Sequence, residues 1–484
     1  MSGDLLMLML PELTIIGTAF LLIIVDLFLH EHRKAVLGGI AMAGVLLALG
    51  FTIGMMPQSG ELFGGRFAVD SVTWWFKLLF LLASLITLAI SIDLLDGRID
   101  AKHMALQARG EYYAIMLFSL AGAMYLASAR DLVTLYVSLE LATIPLYILT
   151  AWKRDTLSSE SGLKYVILGA LASAFLLYGL GLMFGLTGEM NLEAIGRSVT
   201  PSPTFWLAAA MVTAGISFKL TLFPFHMWAA EVYQGAPAPV TAYLSVASKA
   251  AGLALMFQVF YRMMGHQLMA WAWPLAILAA LTMTVGNLAA IVQNNIKRFM
   301  AFSAISQAGY LILGFLGNSD EGIPSMLYYM LVYILTNLAA FAVIVWYSNQ
   351  TGRERIEEYR GLARVNPLVA LAMMIALFSL AGIPPLSGFV GKFFLFSIAS
   401  KAGFHWLVAV AAVNSTISLY YYLRIIRQMY IEPVGQETRA LSISPVLAVT
   451  LAITTLATGA IGIIPMVYET VSAQTISWFL PFIH

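Results

Sequence analysis

Five lysines lie inside the apolar stretches of this 484-residue chain, where a charged side chain is costly. At the centre of a lipid bilayer a charge costs roughly 2.5–3.5 kcal/mol on insertion scales, so each lysine needs a partner, a hydrated cavity or a function. Arginine stays charged there, whereas lysine loses its proton when burial and nearby cations disfavour the ammonium form. That behaviour suits a proton relay. The five are Lys77, Lys164, Lys219, Lys249 and Lys392.

One acidic residue, Glu140, stands near the middle of an apolar stretch, which makes it the expected partner of a buried lysine. The competing interpretation is that a membrane lysine extends its ammonium group to the interface. Both interpretations stay open for Lys77, close to the start of its stretch, whereas burial is favoured for the other four. Asp26 and Asp93 lie about a turn from a predicted boundary and are expected to be solvated structural carboxylates.

Proline and glycine interrupt two apolar stretches beside these lysines. Pro224 follows Lys219 by five residues, and Pro384, Pro385 and three glycines precede or flank Lys392. Proline removes a backbone donor and clashes with the preceding turn. Irregular backbone at membrane depth persists where it is buried in protein or lines a watery cavity, and broken helices are typical of transporters. The sequence therefore predicts two broken helices, each with a lysine at the break.

Redox chemistry is not expected in this chain. A membrane haem needs paired histidines at depth, but six of the seven histidines fall in loops or at helix ends, which leaves His226 beside the first break. With no cysteine the chain has no thiolate metal site and no iron–sulfur ligands. The formal net charge of +1 also indicates no nucleic-acid partner.

The elements that must position these side chains are membrane-spanning helices. The chain is 60% hydrophobic and 11% charged, unlike a soluble domain, and apolar runs of about 20 residues recur along it. The pattern predicts an all-α polytopic membrane protein. The fourteen predicted segments are 12–29, 35–56, 72–92, 112–129, 132–152, 162–186, 205–223, 239–261, 268–292, 299–316, 324–346, 368–398, 406–426 and 445–465.

The basic residues outside the segments predict the orientation, because such residues are retained on the cytoplasmic side. Loops after odd-numbered segments hold sixteen of them and the other loops hold five, so both termini are expected on the non-cytoplasmic side. The sixteen are Arg33, Lys34, Arg98, Lys102, Arg109, Lys153, Arg154, Lys297, Arg298, Arg353, Arg355, Arg360, Arg364, Arg424, Arg427 and Arg439. The five are Arg66, Arg130, Arg197, Arg262 and Lys401. For Arg424, which follows three tyrosines, an interface anchor is favoured over a bidentate partner.

Eight motifs are distinctive enough to compare with known families. They are Phe218-Lys219-Leu220, Pro224-Phe225-His226-Met227-Trp228, Val232-Tyr233-Gln234-Gly235-Ala236-Pro237-Ala238-Pro239-Val240, Ser248-Lys249, Asn295-Ile296-Lys297-Arg298, Ser303-Ala304-Ile305-Ser306, Ser379-Leu380-Ala381-Gly382-Ile383-Pro384 and Leu419-Tyr420-Tyr421-Tyr422-Leu423-Arg424. Together they resemble the antiporter-like membrane subunits of respiratory complex I, and within that family the N type. The resemblance covers essentially the whole chain, and the run from Tyr233 to Pro237 separates the N type from its L and M relatives and from cation/proton antiporters.

The resemblance implies two inverted five-helix repeats with discontinuous segments 7 and 12. It divides the chain into residues 1–110 with segments 1 to 3, 111–265 with segments 4 to 8, 266–430 with segments 9 to 13, and 431–484 with segment 14 and a tail. It also implies a role in proton transfer for six residues. In that scheme Glu140 pairs with Lys219, Lys164 modulates the pair, Lys249 is the central relay, Lys392 leads outward, and His226 lies on the hydrated path near the cytoplasm.

One position departs from the family pattern. Gln307 stands in Ser306-Gln307-Ala308-Gly309, where relatives often carry histidine. Glutamine does not titrate usefully, so any titrating role at this place must fall to water or to Lys249.

By resemblance, the chain acts as a proton-translocating subunit of NADH:quinone oxidoreductase with no cofactor and no metal of its own. NADH, FMN, iron–sulfur clusters and quinone would be bound by partner subunits, and M-like, K-like and J-like membrane subunits would be its neighbours in the lipid bilayer. The expected location is the bacterial plasma membrane. Two other functions remain open: a subunit of a multi-subunit cation/proton antiporter, and a non-pumping scaffold whose lysines join helices electrostatically.

Overall fold

The computed structural model describes residues 7–30, 33–56, 58–95, 109–264, 268–317, 320–433 and 440–476. Helices dominate it because a helix satisfies its own backbone hydrogen bonds, which lipid cannot do. The α-helices, numbered here in chain order, are α1 Leu10–Phe28, α2 Val36–Met55, α3 Ser71–Leu95, α4 Arg109–Ser128, α5 Leu132–Thr150, α6 Thr156–Thr187, α7 Leu192–Ser198, α8 Pro203–Leu220, α9 Met227–Gly235, α10 Ala238–Phe257, α11 Leu268–Ile291, α12 Ile296–Ile312, α13 Gly322–Thr351, α14 Leu362–Val365, α15 Pro367–Ala381, α16 Ser387–Lys401, α17 His405–Tyr430, α18 Pro445–Ile463 and α19 Met466–Ile476.

The predicted all-α membrane architecture is confirmed. In the described part of the chain, eleven helices are long and apolar enough to cross a membrane. Three predicted segments are not among them: α4 and α12 are less apolar, and segment 12 is divided into α15 and α16. The number fourteen and the boundaries of the two inverted repeats therefore remain predictions.

Two helices form the centre of the bundle. The apolar stretches of α10 and α13 are buried along their whole length, whereas α6 and α18 bury about a third of theirs. α10 packs against α3, α5, α8 and α13, and α13 packs against α15, α16 and α18. A polar side chain on α10 or α13 therefore lies in the protein interior, out of contact with lipid.

Close helix contacts depend on small residues. Gly122 of α4 lies against the backbone of α5, and a Cβ there would stand 2.3 Å from the Ala142 nitrogen. Membrane helices approach this closely where one of them carries glycine. The contact fixes α5, and with it Glu140, against the N-terminal helices.

Both predicted helix breaks are present. α8 ends at Leu220, Thr221 adopts a left-handed conformation (φ 60°), and α9 begins only at Met227. α15 ends at Ala381, Gly382 has a φ of 87°, and α16 begins at Ser387. Each break contains a cis X–Pro bond. The two breaks leave helix-end carbonyls without an intrahelical partner.

Other features were not predicted. Gly60–Leu62 and Phe67–Val69 form a two-stranded antiparallel hairpin, β1 and β2, before α3. The α10 helix continues as a π-helix over Gln258–Met263. A π-helical turn is uncommon and is frequently found at functional sites.

Some sequence predictions fall on residues that the structure does not describe. Arg98, Lys102 and Arg439 of the predicted cytoplasmic loops lie outside the described residues, as do both chain ends and the side chain of Asp93. The predicted orientation of the termini therefore stays a prediction.

Candidate functional site

Lys219 is placed by the first helix break. It lies buried in the last turn of α8, and its Nζ donates a hydrogen bond to Thr143 Oγ1 on α5. A cation at this position is stabilised by the carbonyl dipoles at the end of a helix. The local sequence thus fixes Lys219 at a helix terminus that faces α5.

Glu140 lies on α5 one turn before Thr143, and Ser173 Oγ on α6 donates a 2.5 Å hydrogen bond to its Oε1. Among the described residues, Glu140 and Lys219 make no direct ion pair, so the expected contact is not made in this structure. Residues three apart lie on the same face of a helix. Thr143 therefore holds the Lys219 ammonium on the face of α5 that also carries Glu140.

A small cavity adjoins Lys219 and Ser173, the serine that binds Glu140. Its volume is about 20 Å³, and Thr143, Ser173 and Lys219 are among the residues that line it. A space of roughly 10–15 Å³ is enough for one water molecule when polar groups surround it. Ser173 bonds Glu140 and Lys219 bonds Thr143, so one water here would complete a polar connection between carboxylate and ammonium.

The sequence predicted a buried Lys164, but the structure shows it half-exposed. Its side chain is 44% exposed and binds Glu160 Oε1 on its own helix and Glu231 Oε2 on α9, each at 2.7 Å. None of its described hydrogen bonds or ion pairs involves Glu140 or Lys219. The sequence reasoning missed Glu231, because the predicted segment 7 stopped before α9 and the acid appeared to lie in a loop.

Lys249 lies on the central helix α10 and is buried. Its Nζ donates to Thr221 Oγ1 at 2.6 Å and to the Leu220 carbonyl at 3.4 Å. Both acceptors belong to the break that ends α8, two and one residues after Lys219. The irregular backbone therefore provides the polar groups that hold an ammonium at this depth.

Lys392 lies on α16 and binds the second break in a similar way. Its Nζ donates to the carbonyls of Leu380 at 2.9 Å and Ala381 at 3.2 Å, the last two residues of α15, and to Ser415 Oγ at 3.1 Å. The ammonium also stands 4.5 Å from the centroid of the Tyr310 ring. Each helix break thus presents carbonyls to a buried lysine.

Gln307 joins the second break to neighbouring tyrosines. Its Nε2 donates to the Leu380 carbonyl at 3.1 Å, the same oxygen that accepts from Lys392, and its Oε1 accepts from Tyr329 on α13. Tyr422 on α17 stands 3.4 Å from Gln307 Nε2 and 2.5 Å from Ser303 Oγ. Position 307 is therefore filled by a neutral amide in a hydrogen-bonded network.

A second group of polar side chains lies between Lys249 and this network. Asn337 Nδ2 donates to Ser245 Oγ at 2.6 Å, and Tyr333 Oη donates to the Ser245 carbonyl at 3.2 Å. Ser245 lies one turn before Lys249 on α10. Asn337 Oδ1 has no hydrogen-bond partner in the described ranges, as is usual where an ordered water completes a buried network.

His226 lies just before α9, half-buried and stacked on the Phe223 ring at 5.6 Å. It forms no ion pair with the described residues. The structure places it in the first break, as predicted, but its role on a hydrated path remains a prediction.

Two carboxylates near the N-terminus were missed or misread. Glu12 on α1 and Lys77 on α3 form a 2.7 Å ion pair with both side chains fully buried. Lys77 therefore does not extend to the interface. Asp26 pairs with Lys34 at 3.3 Å and is largely buried, so the expectation of a solvated carboxylate was wrong.

Lys297 was predicted to be a loop residue, but it is buried. Its Nζ pairs with Glu354 Oε1 at 2.7 Å and donates to the Ala236 carbonyl at 3.0 Å. Ala236 belongs to the motif between α9 and α10, so the lysine ties the motif 295–298 to the motif 232–240. The contact holds the short connection between α9 and α10 in place.

Arg424 binds oxygen atoms at the end of α11. Its Nη1 donates to the Ile291 carbonyl at 2.8 Å, and its Nη2 donates to the Gln293 carbonyl at 2.6 Å and to Asn294 Oδ1 at 2.8 Å. α11 ends at Ile291, so the guanidinium caps that helix and satisfies carbonyls at its end. The bidentate alternative is the one the structure supports.

We therefore expect Arg424→Lys to lower the thermal stability of the protein, because an ammonium group cannot reproduce the planar, forked hydrogen bonding of the guanidinium. Each hydrogen bond to a charged group contributes about 1.5–3 kcal/mol to stability, so the melting temperature of the purified complex should fall. Thermal unfolding followed by tryptophan fluorescence measures this. Arg427→Lys, on an exposed arginine of the same helix, is the matched control, and equal stability of the two variants would contradict the capping role.

The chain is similar to known proteins over most of its length. Residues 129–418 match the family described as NADH:quinone oxidoreductase/Mrp antiporter, transmembrane. A protein of Moorella thermoacetica named NADH-quinone oxidoreductase subunit N is 40% identical over 457 residues, covering 93% of this chain and 94% of that protein. One of the same name from Dehalococcoides mccartyi is 41% identical, with 95% and 96% covered.

Two structures show similar folds. A chain of respiratory complex I from Thermus thermophilus with bound aureothin superposes with a TM-score of 0.83 at 33% identity, covering 96% of this chain and 100% of that one. A chain of the Mrp complex from Dietzia superposes with a TM-score of 0.86 at 21% identity, covering 99% and 97%. The second similarity is one of fold alone.

Proposed function

The chain belongs to the NADH:quinone oxidoreductase/Mrp antiporter family of membrane subunits, and we propose that it acts as subunit N of a proton-translocating NADH:quinone oxidoreductase. Relatives that match nearly its whole length at about 40% identity carry that name. The chain is an integral membrane component of a respiratory enzyme. Its own contribution is the movement of protons.

One observation carries the proton-transfer proposal: three buried lysines contact the two helix breaks. Lys219 stands at the end of α8, Lys249 binds Thr221 and the Leu220 carbonyl, and Lys392 binds the last carbonyls of α15. Lysine can release its proton in such surroundings, whereas arginine cannot. Carbonyl and hydroxyl acceptors stabilise each ammonium without neutralising it permanently, so the proton can be passed on.

In the first half, Glu140 and Lys219 act as a switch. In the structure the Glu140 carboxylate accepts a hydrogen bond from Ser173 and the Lys219 ammonium donates one to Thr143, so the two charged groups are separated. When the two groups approach, the carboxylate stabilises the charged lysine, and when they separate the proton is released toward Lys249. Lys164, held by Glu160 and Glu231, modulates the switch through α6, and His226 delivers protons at the first break.

In the second half, the proton moves from Lys249 to Lys392. Ser245, Asn337, Tyr329 and Gln307 supply hydroxyl and amide groups along the way. Gln307 does not titrate, so it orients the Leu380 carbonyl and Tyr329 while water carries the proton. Lys392 then releases it outward.

The electron-transfer chemistry belongs to other subunits. NADH, FMN, the iron–sulfur clusters and quinone are bound there, and M-like, K-like and J-like membrane subunits flank this chain. The host membrane is the bacterial plasma membrane, with both termini on the non-cytoplasmic side. Residues 111–265 and 266–430 form the two inverted repeats, so that one break and its lysines fall in each repeat.

Two other functions remain possible outcomes of experiment. A cation/proton antiporter subunit has the same fold, but the relatives at about 40% identity are named for NADH:quinone oxidoreductase. A scaffold would use the lysines only to join helices.

The proposal is tested by tagging the chain and reconstituting the complex that it brings down. We expect mass spectrometry to identify nucleotide- and quinone-binding partners, and we expect NADH oxidation to acidify the vesicle lumen. Co-purification of antiporter subunits alone, with sodium-driven proton exchange, would establish the antiporter instead. Unchanged pumping after Lys219 and Lys249 are both replaced by methionine would establish the scaffold.

A further inference from the structure

Helix α3 carries a line of buried polar residues that the proton path described above does not use. Asp70, at its N-terminus, is followed by Lys77, Ser84 and Ser91 at intervals of seven residues. Residues seven apart lie on the same helix face, two turns along. Lys77, Ser84 and Ser91 are all fully buried. We call these four residues the α3 file.

Neighbouring helices place a polar group at each level of the α3 file. Glu12 of α1 pairs with Lys77 at 2.7 Å, Tyr243 of α10 lies beside Ser84, and Tyr112 of α4 stands 3.4 Å from Ser91. Buried polar groups on membrane helices join helices together, but titratable ones are also typical of proton pathways. The Glu12–Lys77 pair is such a titratable pair, and both its members are fully buried.

At the Asp70 end the α3 file meets two arginines. Asp70 Oδ2 accepts from Arg130 Nη2 at 3.0 Å and from Arg262 Nη2, and Arg262 Nη1 pairs with Glu193 Oε1 at 2.8 Å. Both guanidiniums are nearly inaccessible, whereas Glu193 is 39% exposed and therefore solvated. We call Asp70, Arg130, Arg262 and Glu193 the arginine cluster.

Two members of the arginine cluster, Asp70 and Arg130, keep their charges at neutral pH. Burial alone would raise the pKa of Asp70, but the guanidiniums of Arg262 and Arg130 lower it well below its usual range. Burial and the nearby Arg262 lower the pKa of Arg130 to about 9, so it remains cationic at pH 7. Two nearly inaccessible cations therefore surround one partly buried anion, and these three groups together are net positive.

We propose that the arginine cluster is a fixed-charge barrier that closes the α3 file to protons at this end of the protein. A proton that leaves the Glu12–Lys77 pair in this direction must pass two guanidiniums, and a fixed arginine excludes protons and cations from a polar pore. The barrier rests on the proposed function, since it keeps the gradient made by the lysine path from leaking back through the N-terminal helices.

The position of the cluster supports this role. Arg262 lies on the π-helical extension of α10, Arg130 lies between α4 and α5, and Asp70 immediately precedes α3. Gln258, one turn before Arg262, donates to the Ala127 carbonyl, which also accepts from Arg130 Nη1. The cluster therefore closes the junction between the N-terminal helices and the central helix.

The test measures passive proton leak in vesicles that contain the whole complex, with a potassium diffusion potential as the driving force. Arg262→Gln removes one cation and should raise the leak on the order of 10-fold, because one unit charge at close range changes proton occupancy by about that factor or more. Arg262→Lys keeps the charge and should leak like wild type. Asp70→Asn increases the net positive charge and should leak no more than wild type.

The double variant Arg262→Gln with Asp70→Asn separates a barrier from simple packing. Its net charge equals that of wild type, because one cation and one anion are removed together, so a barrier predicts a leak close to the wild-type level. A packing role predicts that the double variant, which loses the most contacts, leaks most, and that outcome would overturn the proposal. The double variant also decides the matter if Arg262→Gln alone fails to assemble, because a leak well above the wild-type level in it would contradict the barrier.

Two further measurements complete the design. Replacing Lys77 with methionine and Glu12 with glutamine in the Arg262→Gln background should abolish the extra leak, and a persisting leak would show that protons do not use the α3 file. Arg197→Gln, an exposed arginine near the same end, is the control. If wild-type vesicles fail to acidify with NADH, the proposed function fails. If they acidify but Arg262→Gln does not leak, only the barrier fails.

Discussion

Lys249→Ala should abolish proton pumping and slow quinone reduction by at least roughly 10-fold, since loss of one proton-transfer group typically costs 10²–10⁴-fold in a proton-transfer step. Lys249 is buried on the central helix and binds the break that follows Lys219. Alanine leaves the Leu220 carbonyl and Thr221 without that ammonium and removes the carrier between the two halves. Proton release and quinone reduction are measured together in membrane vesicles.

Two substitutions distinguish a carrier from a fixed charge. Lys249→Arg preserves a cation but cannot release its proton at any accessible pH, so a carrier predicts that it assembles and still fails to pump. Normal pumping by Lys249→Arg would show that only the charge matters. Lys401→Ala, on an exposed lysine paired with Glu321, should be nearly silent, because exposed pairs contribute little. Wild-type rates and gradient in Lys249→Ala would refute the relay assignment altogether.

The helix breaks could be predicted from the sequence because their causes are local. Pro224, and the pair Pro384 and Pro385 with their flanking glycines, cannot continue a helix. Positions along an apolar run also indicate depth in the membrane, which is why Lys219, Lys249 and Lys392 were correctly expected to be buried. The positions of these lysines relative to the helix breaks can therefore be predicted from the sequence alone.

The position of a residue along a helix does not show which way its side chain points, and this explains the wrong prediction for Lys164. Its place along α6 was compatible with burial, but that helix buries only about a third of its apolar stretch. The side chain is 44% exposed and pairs with Glu160 on its own helix and with Glu231 on α9. Which face of an apolar helix packs inward cannot be read from a sequence whose faces are all apolar.

Long-range partners were also beyond the sequence. Glu12 and Lys77 are 65 positions apart, and Arg424 caps a helix that ends 133 residues earlier. No periodicity connects such residues, because tertiary packing alone brings them together. The tyrosines before Arg424 predicted an interface anchor, but they could not predict the carbonyls at the end of α11 that its guanidinium binds.

Glu140→Gln should strongly impair pumping, because it removes the charge with which Lys219 is proposed to interact. At an effective dielectric constant of about 20, moving two opposite charges from ~4 to ~8 Å apart costs about 2 kcal/mol, or roughly a 30-fold change in the proton occupancy of the lysine. That is enough to turn binding into release. In the structure the two groups stand apart, on Ser173 and Thr143, which is the releasing arrangement.

Comparing three substitutions separates the charge of Glu140 from its shape. Glu140→Asp keeps the charge and shortens its reach, so pumping should fall only mildly. Ser173→Ala frees the carboxylate from its hydrogen bond and should favour the paired arrangement, slowing release while leaving proton uptake intact. Glu189→Gln, in an exposed loop, is the matched control and should pump normally. Initial rates of proton uptake and release in proteoliposomes measure these effects. If an assembled Glu140→Gln complex pumps at the wild-type rate, the carboxylate is structural, and the proton path must run through Lys219, Lys249 and Lys392 without it.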